Sequence, residues 1–588
     1  MPVKPALLLA ALLAACAPDP EAPQPEAAPA AAVAPVAAPA AAPDPWDPPD
    51  VADMAPWPVM GRDLQADELF TAATLVTADE AMAGTFQPRA ERAPHAFGLP
   101  VDWSADPHGD ANWRFHLAAL RLIDPLIVGW ARTGEGRYLD RAAAVALDWV
   151  EAHPSAEAKR KAGTWKDMTA GLRALRLAWL HDRVEAGDVA MSVDDLAKLE
   201  ASLDQHRIAL LNPRYWRQHN HALYAMHGLM AACRARAEAE GCDRERGYAR
   251  EGVLRVLRGS YAPDGGHKEH SPKYHDFVLK TLGRLVDSGW YDLPGTDAAI
   301  LSAAEAASGW MSDASGNYPN VGDSERDPNK RAHLAPGPVP GCEAGDVDAA
   351  ACARLKLFPD TGYAVLKTAA NVPEDRRASL FLTCARHGRA HKQLDSLSFE
   401  WMDRGRRLLV DGGKLHYNAD DARSHLLSRA AHNTASMEGG DAYRAPHTGA
   451  CLDGAALTDG VMTAGGAAMI GEDALHERTL AYAVGDALSV TDTVTGGAFR
   501  LRWNLAPGLA AAPVANGYAV SDADGPVMTA ALPQACAWDA RTGDADDPAA
   551  GAVTSEQYLE VAPITVLEGR CPAGTGPVTS RFALAGSG

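Results

Sequence analysis

Residues 263–280, Pro-Asp-Gly-Gly-His-Lys-Glu-His-Ser-Pro-Lys-Tyr-His-Asp-Phe-Val-Leu-Lys, crowd three histidines, three lysines and one tyrosine into a single short stretch. Core packing does not ask for such a density of titratable groups, whereas proton transfer does. Asp264-Gly265-Gly266 reads as a turn. Ser271-Pro272 reads as cap and first residue of a helix that holds Tyr274 in its first turn. A solvated basic helix start is a poor account, because the helix dipole disfavours lysines there.

Two further groupings carry similar residue types. Residues 214–227 run Arg-Tyr-Trp-Arg-Gln-His-Asn-His before an apolar helical stretch. Asn220 there is either a helix cap beside a surface histidine, the commoner use of asparagine, or a group aimed into a cleft. Farther on lie His391-Lys392-Gln393-Leu394-Asp395, Asp411-Gly412-Gly413 and His432-Asn433-Thr434. His391, Asp395, Asp411 and His432 are types that can hold a metal, although their spacing alone says little.

The elements that must position these groups change character along the chain. From about 51 to 340 the apolar period is helical. Leu120, Ile123, Ile127 and Trp130 mark one core-facing stripe in a run over 112–131. Further runs follow at 138–150, 167–184, 194–211, 219–237, 246–260, 273–288 and 297–311. After a Gly/Pro/Asp-rich passage over 313–362, short strands are expected at Leu380–Cys384, Ser396–Met402, Arg407–Val410, Ala435–Met437, Arg478–Val484 and Ala487–Val494. Asp403-Arg404-Gly405 and Gly485-Asp486 supply turns. Packed helical hairpins followed by a β-sandwich-type domain is the outline.

A chain of 588 residues predicts two large domains, and a net charge of -21 argues against a nucleic-acid partner. A polyanionic substrate remains compatible, through a local basic cleft. Residues 1–16 read as a secretion signal, and Leu13-Ala14-Ala15-Cys16 resembles a bacterial lipobox that would make Cys16 a lipidated N-terminus. An exported periplasmic or cell-surface protein, meeting the membrane only through that lipid, is the expectation. Residues 17–50, rich in Ala and Pro, read as an extended tether. No other run is apolar enough to cross a membrane. Past Cys16, eight cysteines suggest disulfides, with Cys233/Cys242 and Cys342/Cys352 as natural local pairs and the full connectivity open. No CxxC spacing points to a zinc ribbon.

In family order over about residues 100–500, the chain resembles the heparinase II/III-like polysaccharide lyases, a family that includes exolytic alginate lyases. The residues that carry the resemblance are Asn220-His221, Asp264-Gly265-Gly266, Glu269, Ser271-Pro272-Lys273-Tyr274-His275, Tyr318-Pro319-Asn320-Val321-Gly322-Asp323-Ser324 and Phe358-Pro359-Asp360-Thr361-Gly362-Tyr363. The later part adds His391 to Phe399, Leu408 to Gly413, and His432-Asn433-Thr434. The resemblance implies an α+β multidomain chain. An incomplete α/α toroid would occupy 51–345 and an antiparallel β-sandwich 355–588, with the cleft between them.

The activity implied is β-elimination at a uronic acid, on an alginate-type or heparan-type polysaccharide or oligosaccharide. The sugar carboxylate must be neutralised so that charge developing on it is stabilised. A base must take the C5 proton, and an acid must supply the leaving oxygen. By resemblance, Asn220 and His391 face the carboxylate while Tyr274 and His221 move protons. A tyrosine base needs cationic neighbours, and His267, Lys268, Lys273, Arg214 and Arg217 are the candidates for that and, with Glu269, for binding substrate. The chemistry needs no cofactor.

The resemblance also implies a structural zinc on Asp411, His432 and a second histidine. Here Gln393 stands at that third position, and a neutral amide is a poor zinc ligand. Zinc is therefore not expected to be held well, and Gln393 is expected to hydrogen-bond Asp411 or His432 instead. Two other classes fit less of the pattern. A toroidal glycoside hydrolase would draw two acids from Glu269, Asp264, Asp276 and Asp323. A non-catalytic glycan-binding protein would leave the Asn-His, Tyr and His set without work.

Overall fold

A computed structural model describes residues 75–155, 164–165, 167–212, 220–444 and 449–586. The signal, Cys16, the tether, Arg214 and Arg217 lie outside the described residues. No helix among the described residues is long and apolar enough to cross a membrane. The architecture is a helical N-terminal region followed by antiparallel β-sheets, and it forms two compact units.

One unit comprises residues 75–260 with Val278–Ala299. Its helices follow the expected runs closely, at Gly136–Ala152, Asp167–Glu185, Val193–Leu211, His221–Ala235 and Cys242–Ser260. The run over 112–131 differs. It divides into Ala111–Ala118, a 3-10 turn Arg121–Ile123 and Asp124–Thr133. Leu120 adopts φ +62°, which no continuous helix tolerates, and Pro125 sits in the first turn of the new helix, where its missing N–H costs nothing. The apolar stripe is nevertheless real, since Leu120, Ile123 and Ile127 are all buried. Two short strands, Thr85–Phe86 and His95–Ala96, carry no periodic signal in the sequence.

The helix that follows Asn220 is fixed by backbone contact. A Cβ on Gly171 would lie 2.1 Å from the Tyr224 carbonyl, and one on Gly228 would lie 2.3 Å from the Gly171 carbonyl. Asp167–Glu185 and His221–Ala235 therefore approach more closely than any side chain permits at that crossing. Beside them the buried Arg176 grips Asp124 through two bonds of 2.6 and 2.7 Å.

The other unit comprises Tyr261–Phe277 with residues 300–586. It holds a five-stranded sheet in the order Ala353–Phe358, Tyr363–Thr368, Ser379–Thr383, Phe399–Asp403, Arg406–Leu409. A four-stranded sheet contains Phe499–Asn504 and Thr565–Cys571, and an eight-stranded sheet contains Val461–Gly471, Ala474–Ala483 and Ala487–Val494. Alternating burial along Ala474–Ala483 is the signature of strands with one face inward. Leu380, Trp401, Leu480, Val490, Trp503 and Phe582, drawn from all three sheets, meet in one apolar core. Arg404 and Gly405 both take positive φ, +50° and +69°, as a tight hairpin turn requires.

Three disulfides staple this unit: Cys342–Cys352, as expected, with Cys384–Cys451 and Cys536–Cys571. The expected Cys233–Cys242 pair is not bonded. Both thiols are buried, and Cys233 donates to Glu245 Oε2 at 3.1 Å, a carboxylate that Arg207 Nε also holds at 2.8 Å. Hydrogen bonding to Cys242 and burial together push the Cys233 thiol far up, so it stays protonated.

Candidate active site

The opening stretch groups with the sheets, and four polypeptide segments assemble around it. Asp264 anchors its turn. Oδ2 accepts the N–H groups of Asp360 and Thr361, each at 2.8 Å, and Oδ1 accepts from Gly266 N at 3.1 Å and Thr361 Oγ1 at 2.5 Å. Helix Pro272–Asp287 then starts as expected. Ser271 Oγ accepts the Tyr274 N–H at 3.3 Å, and Ser324 Oγ, 2.8 Å from Ser271 Oγ, accepts the Lys273 N–H at 3.3 Å. Tyr274 thereby has a fixed starting point.

The segment carrying His391 is locked to the same stretch. His270 Nδ1 donates to the Ala390 carbonyl at 3.1 Å, and its Nε2 accepts from His387 N–H at 2.8 Å. Burial and the nearby Lys392 hold this imidazole well below the usual histidine range, which matches its one-donor, one-acceptor pattern. Gly322 makes the third contact. With φ +58° it lies so close that a Cβ would fall 2.3 Å from the His270 carbonyl and 2.8 Å from that of His391.

His391 itself has φ +53°, and its ring stacks on Tyr274 with centroids 3.5 Å apart and planes 19° off parallel. Its Nδ1 faces Asp323 Oδ2 at 3.3 Å and its Nε2 faces Glu269 Oε2 at 3.5 Å. Asp323 also accepts from Arg423 Nη2 at 2.6 Å and Gln393 Nε2 at 3.0 Å. Burial alone would raise that carboxyl, but the hydrogen bond to His391 and the Arg423 charge outweigh it and hold it far below the carboxylate range.

The Tyr274 hydroxyl lies 2.6 Å from the Tyr417 hydroxyl. Lys414 Nζ approaches Tyr417 Oη at 3.4 Å, sits 4.7 Å over its ring, and pairs with Glu325 Oε1 at 2.5 Å. Burial would raise Glu325, yet Lys414 and Lys273 bring it down to about 2. Burial, with the neighbouring Tyr417, pushes Tyr274 well above the ordinary tyrosine range, and Lys414 opposes this without reversing it. Burial and the charge of Asp323 likewise push Tyr417 up. Both phenols are neutral at neutral pH.

The cations expected to favour a phenolate are placed otherwise. Lys273 is ion-paired to Glu325 and Asp327. His267 is 1% exposed, edge-on to Tyr261, and burial keeps it neutral. Lys268 is half-buried and acts on His267 and His387. The cation that Tyr274 does receive, Lys414, was missed, as were Tyr417, Glu325 and Arg423. A signal existed: Lys414-Leu415-His416-Tyr417, following the Gly412-Gly413 turn, repeats the basic and aromatic mixture of the opening stretch.

In the helical unit, Asn220 occupies the cap position of His221–Ala235 but has helical φ/ψ of -47° and -33° and makes no capping bond with its side chain. It is 2% exposed, so the reading as a simple cap fails. His221 is half-buried.

The third grouping does not suit zinc. Asp411 Oδ1 accepts from His432 Nδ1 at 2.8 Å and Oδ2 accepts from Ser398 Oγ at 2.9 Å, one bond to each oxygen. Beside that carboxylate stand one imidazole nitrogen, His432 Nε2, and one neutral amide oxygen, Gln393 Oε1, while Asp395 is ion-paired to Lys392. A zinc site needs three or four nitrogen, sulfur or carboxylate donors. The expected bond from Gln393 to Asp411 or His432 is also absent. Its amide donates to Gly322 O at 2.8 Å, Asp323 Oδ1 at 3.0 Å and Gly413 O at 3.1 Å, because the Gly322 approach brings those acceptors to it first.

Comparison with known proteins agrees with this layout. Residues 60–290 match the family model "Heparinase II/III N-terminus", and residues 351–566 match "Heparinase II/III-like, C-terminal". No curated protein matches the sequence. Among solved structures, a heparinase III is similar at 15% identity and TM-score 0.62, over 92% of this chain and 86% of that one. Heparan sulfate lyase from Pedobacter heparinus is similar at 16% identity and TM-score 0.60, over 91% and 86%. A further heparinase III structure gives TM-score 0.63 at 15% identity, over 84% and 80%. At such identities these structures speak to the fold, that of polysaccharide lyases with a helical N-terminal region and C-terminal antiparallel sheets.

Proposed function

The chain belongs to the heparinase II/III-like family, and on that premise we propose that it is a polysaccharide lyase cleaving a uronate-containing glycan by β-elimination. The observation that carries the reading is the Tyr274 phenol, neutral, stacked on His391 and hydrogen-bonded to Tyr417. A neutral phenol is an acid, so Tyr274 protonates the leaving glycosidic oxygen as the C4–O bond breaks. His221 takes the C5 proton as the C4–C5 double bond forms. His391, steadied by Asp323 and Glu269, and Asn220 stabilise the charge that develops on the uronate carboxylate. Tyr417 and Lys414 then return a proton to Tyr274 from solvent.

A hydrolase finds less support. Asp264 is spent on four hydrogen bonds, and Asp323 is held ionised where a hydrolase acid must be protonated. Lys268, with Arg214 and Arg217 near Asn220 in sequence, is proposed to grip flanking uronates, alginate-type oligouronates being the favoured class. Export and anchoring through a lipidated Cys16 complete the proposal.

The test is a panel of alginate, heparan-type and other uronate polymers, followed by ultraviolet absorbance of the conjugated unsaturated uronate. New absorbance on any of them, and its loss in Tyr274→Phe, is expected. New reducing ends without that absorbance would overturn elimination in favour of hydrolysis. Binding without any product would leave only a glycan-binding role.

A further inference from the structure

The family's zinc position and the catalytic-site loops meet at one side chain. Gln393 is fully buried, and its single amide nitrogen donates to Gly322 O, Asp323 Oδ1 and Gly413 O. Those acceptors belong to two separate segments, one carrying Asp323 and the other leading into Lys414 and Tyr417. The donor stands two residues from His391 in a third. We propose that Gln393 is a positioning residue that ties these three segments together by hydrogen bonds and makes the protein independent of zinc.

The argument rests on donor chemistry. One carboxylate, one imidazole nitrogen and a neutral amide oxygen at Asp411/His432 fall a strong donor short of the three that a zinc site needs. A carboxamide offers two N–H donors from one nitrogen where a neutral histidine offers a single N–H in all, and the Gln393 amide nitrogen faces two carbonyls and one carboxylate. One of its acceptors is the oxygen of Asp323 that also receives Arg423, so Gln393 helps set the carboxylate that faces His391 Nδ1. Its neighbours are consistent with a built network. Asn433 Nδ2 donates to the Phe399 and Val410 carbonyls, each at 2.9 Å, and Thr554 Oγ1 donates to the Asp411 carbonyl at 2.8 Å, so hydrogen bonds between protein groups also tie the surroundings together.

The positioning role rests on the lyase reading; the metal independence does not. The full chain, purified without added metal, is first assayed for zinc content and for Tm before and after chelator. Sub-stoichiometric zinc and an unchanged Tm are expected, whatever the activity; one zinc per chain, or a Tm that falls with chelator, overturns the proposal. Gln393→Leu then removes the donors while keeping bulk, and Gln393→Glu removes them while keeping shape. With an active substrate in hand, both are expected to lower kcat by ~10–100-fold with KM little changed, the size usual for groups that orient a site's ligands. Full kcat in either variant overturns the positioning role. Where Gln393→Leu fails to fold, Gln393→Glu and the zinc measurement still decide. Absence of lyase activity in the unaltered chain sinks the function and leaves the metal result standing.

Discussion

Replacing Tyr274 with phenylalanine isolates one hydroxyl. Phenylalanine keeps the ring, and with it the stack on His391 at 3.5 Å, so the two segments stay in register. The lost bond to Tyr417 is a neutral one on a partly exposed side chain, worth about 1 kcal/mol of stability at most. The fold should therefore survive. What disappears is the proton donor for the leaving oxygen. A positioned acid contributes ~10²–10⁴-fold, and at ~1.4 kcal/mol per tenfold that is about 3–5 kcal/mol of transition-state stabilisation. Initial rates at saturating uronate polymer, read by ultraviolet absorbance, should show kcat reduced by that factor with KM nearly unchanged. A variant that keeps kcat within a factor of a few would refute Tyr274 as the acid. A raised KM at unchanged kcat would instead assign its hydroxyl to binding alone.

Four other outcomes follow from neighbouring contacts. Tyr417→Phe removes the hydroxyl 2.6 Å from Tyr274 but leaves the acid in place, so kcat should fall less than in Tyr274→Phe, by about tenfold. Glu325 is held at about 2 against an ordinary 4.5. Its contribution is complete above the unfolded value and lost as pH falls from about 4.5 towards 2, about 3 kcal/mol in all. Urea unfolding over that window should show wild type losing stability more steeply than Glu325→Gln. Arg423→Ala strands the buried Asp323 and should cost about 3–5 kcal/mol, with Asp323→Asn recovering part of the lost Tm in the double variant. Removing Cys384–Cys451, which closes 67 residues, should cost about 4 kcal/mol by chain entropy and lower the denaturation midpoint.

Periodicity found the helices and strands wherever one face is buried continuously. Ala435–Met437 and Ala487–Val494 fall where alternation and turns put them. It failed where backbone geometry overrides the stripe: Leu120 keeps its apolar place while its left-handed φ breaks the helix. In the site, residues near one another in sequence were legible as a group, and so were Tyr274 and His391 through family resemblance. Their dependence on Asp323, Arg423 and Tyr417 was not, because pairing across 68 to 143 residues leaves no local pattern. The cationic environment of Tyr274 was misjudged for the same reason. Counting lysines near it in sequence says nothing about Glu325 and Asp327, which neutralise Lys273 from a segment about 50 residues away.

Gly322 has a consequence for anyone reshaping this protein. Its missing side chain lets two carbonyls, those of His270 and His391, close on one atom from different segments. Any larger residue there displaces both at once, so the segments bearing Tyr274 and His391 cannot be diversified one at a time. Libraries aimed at new sugar preference should treat them as a single fixed block. The variation belongs at outlying positions such as Lys268, a half-buried side chain that can change without moving a backbone.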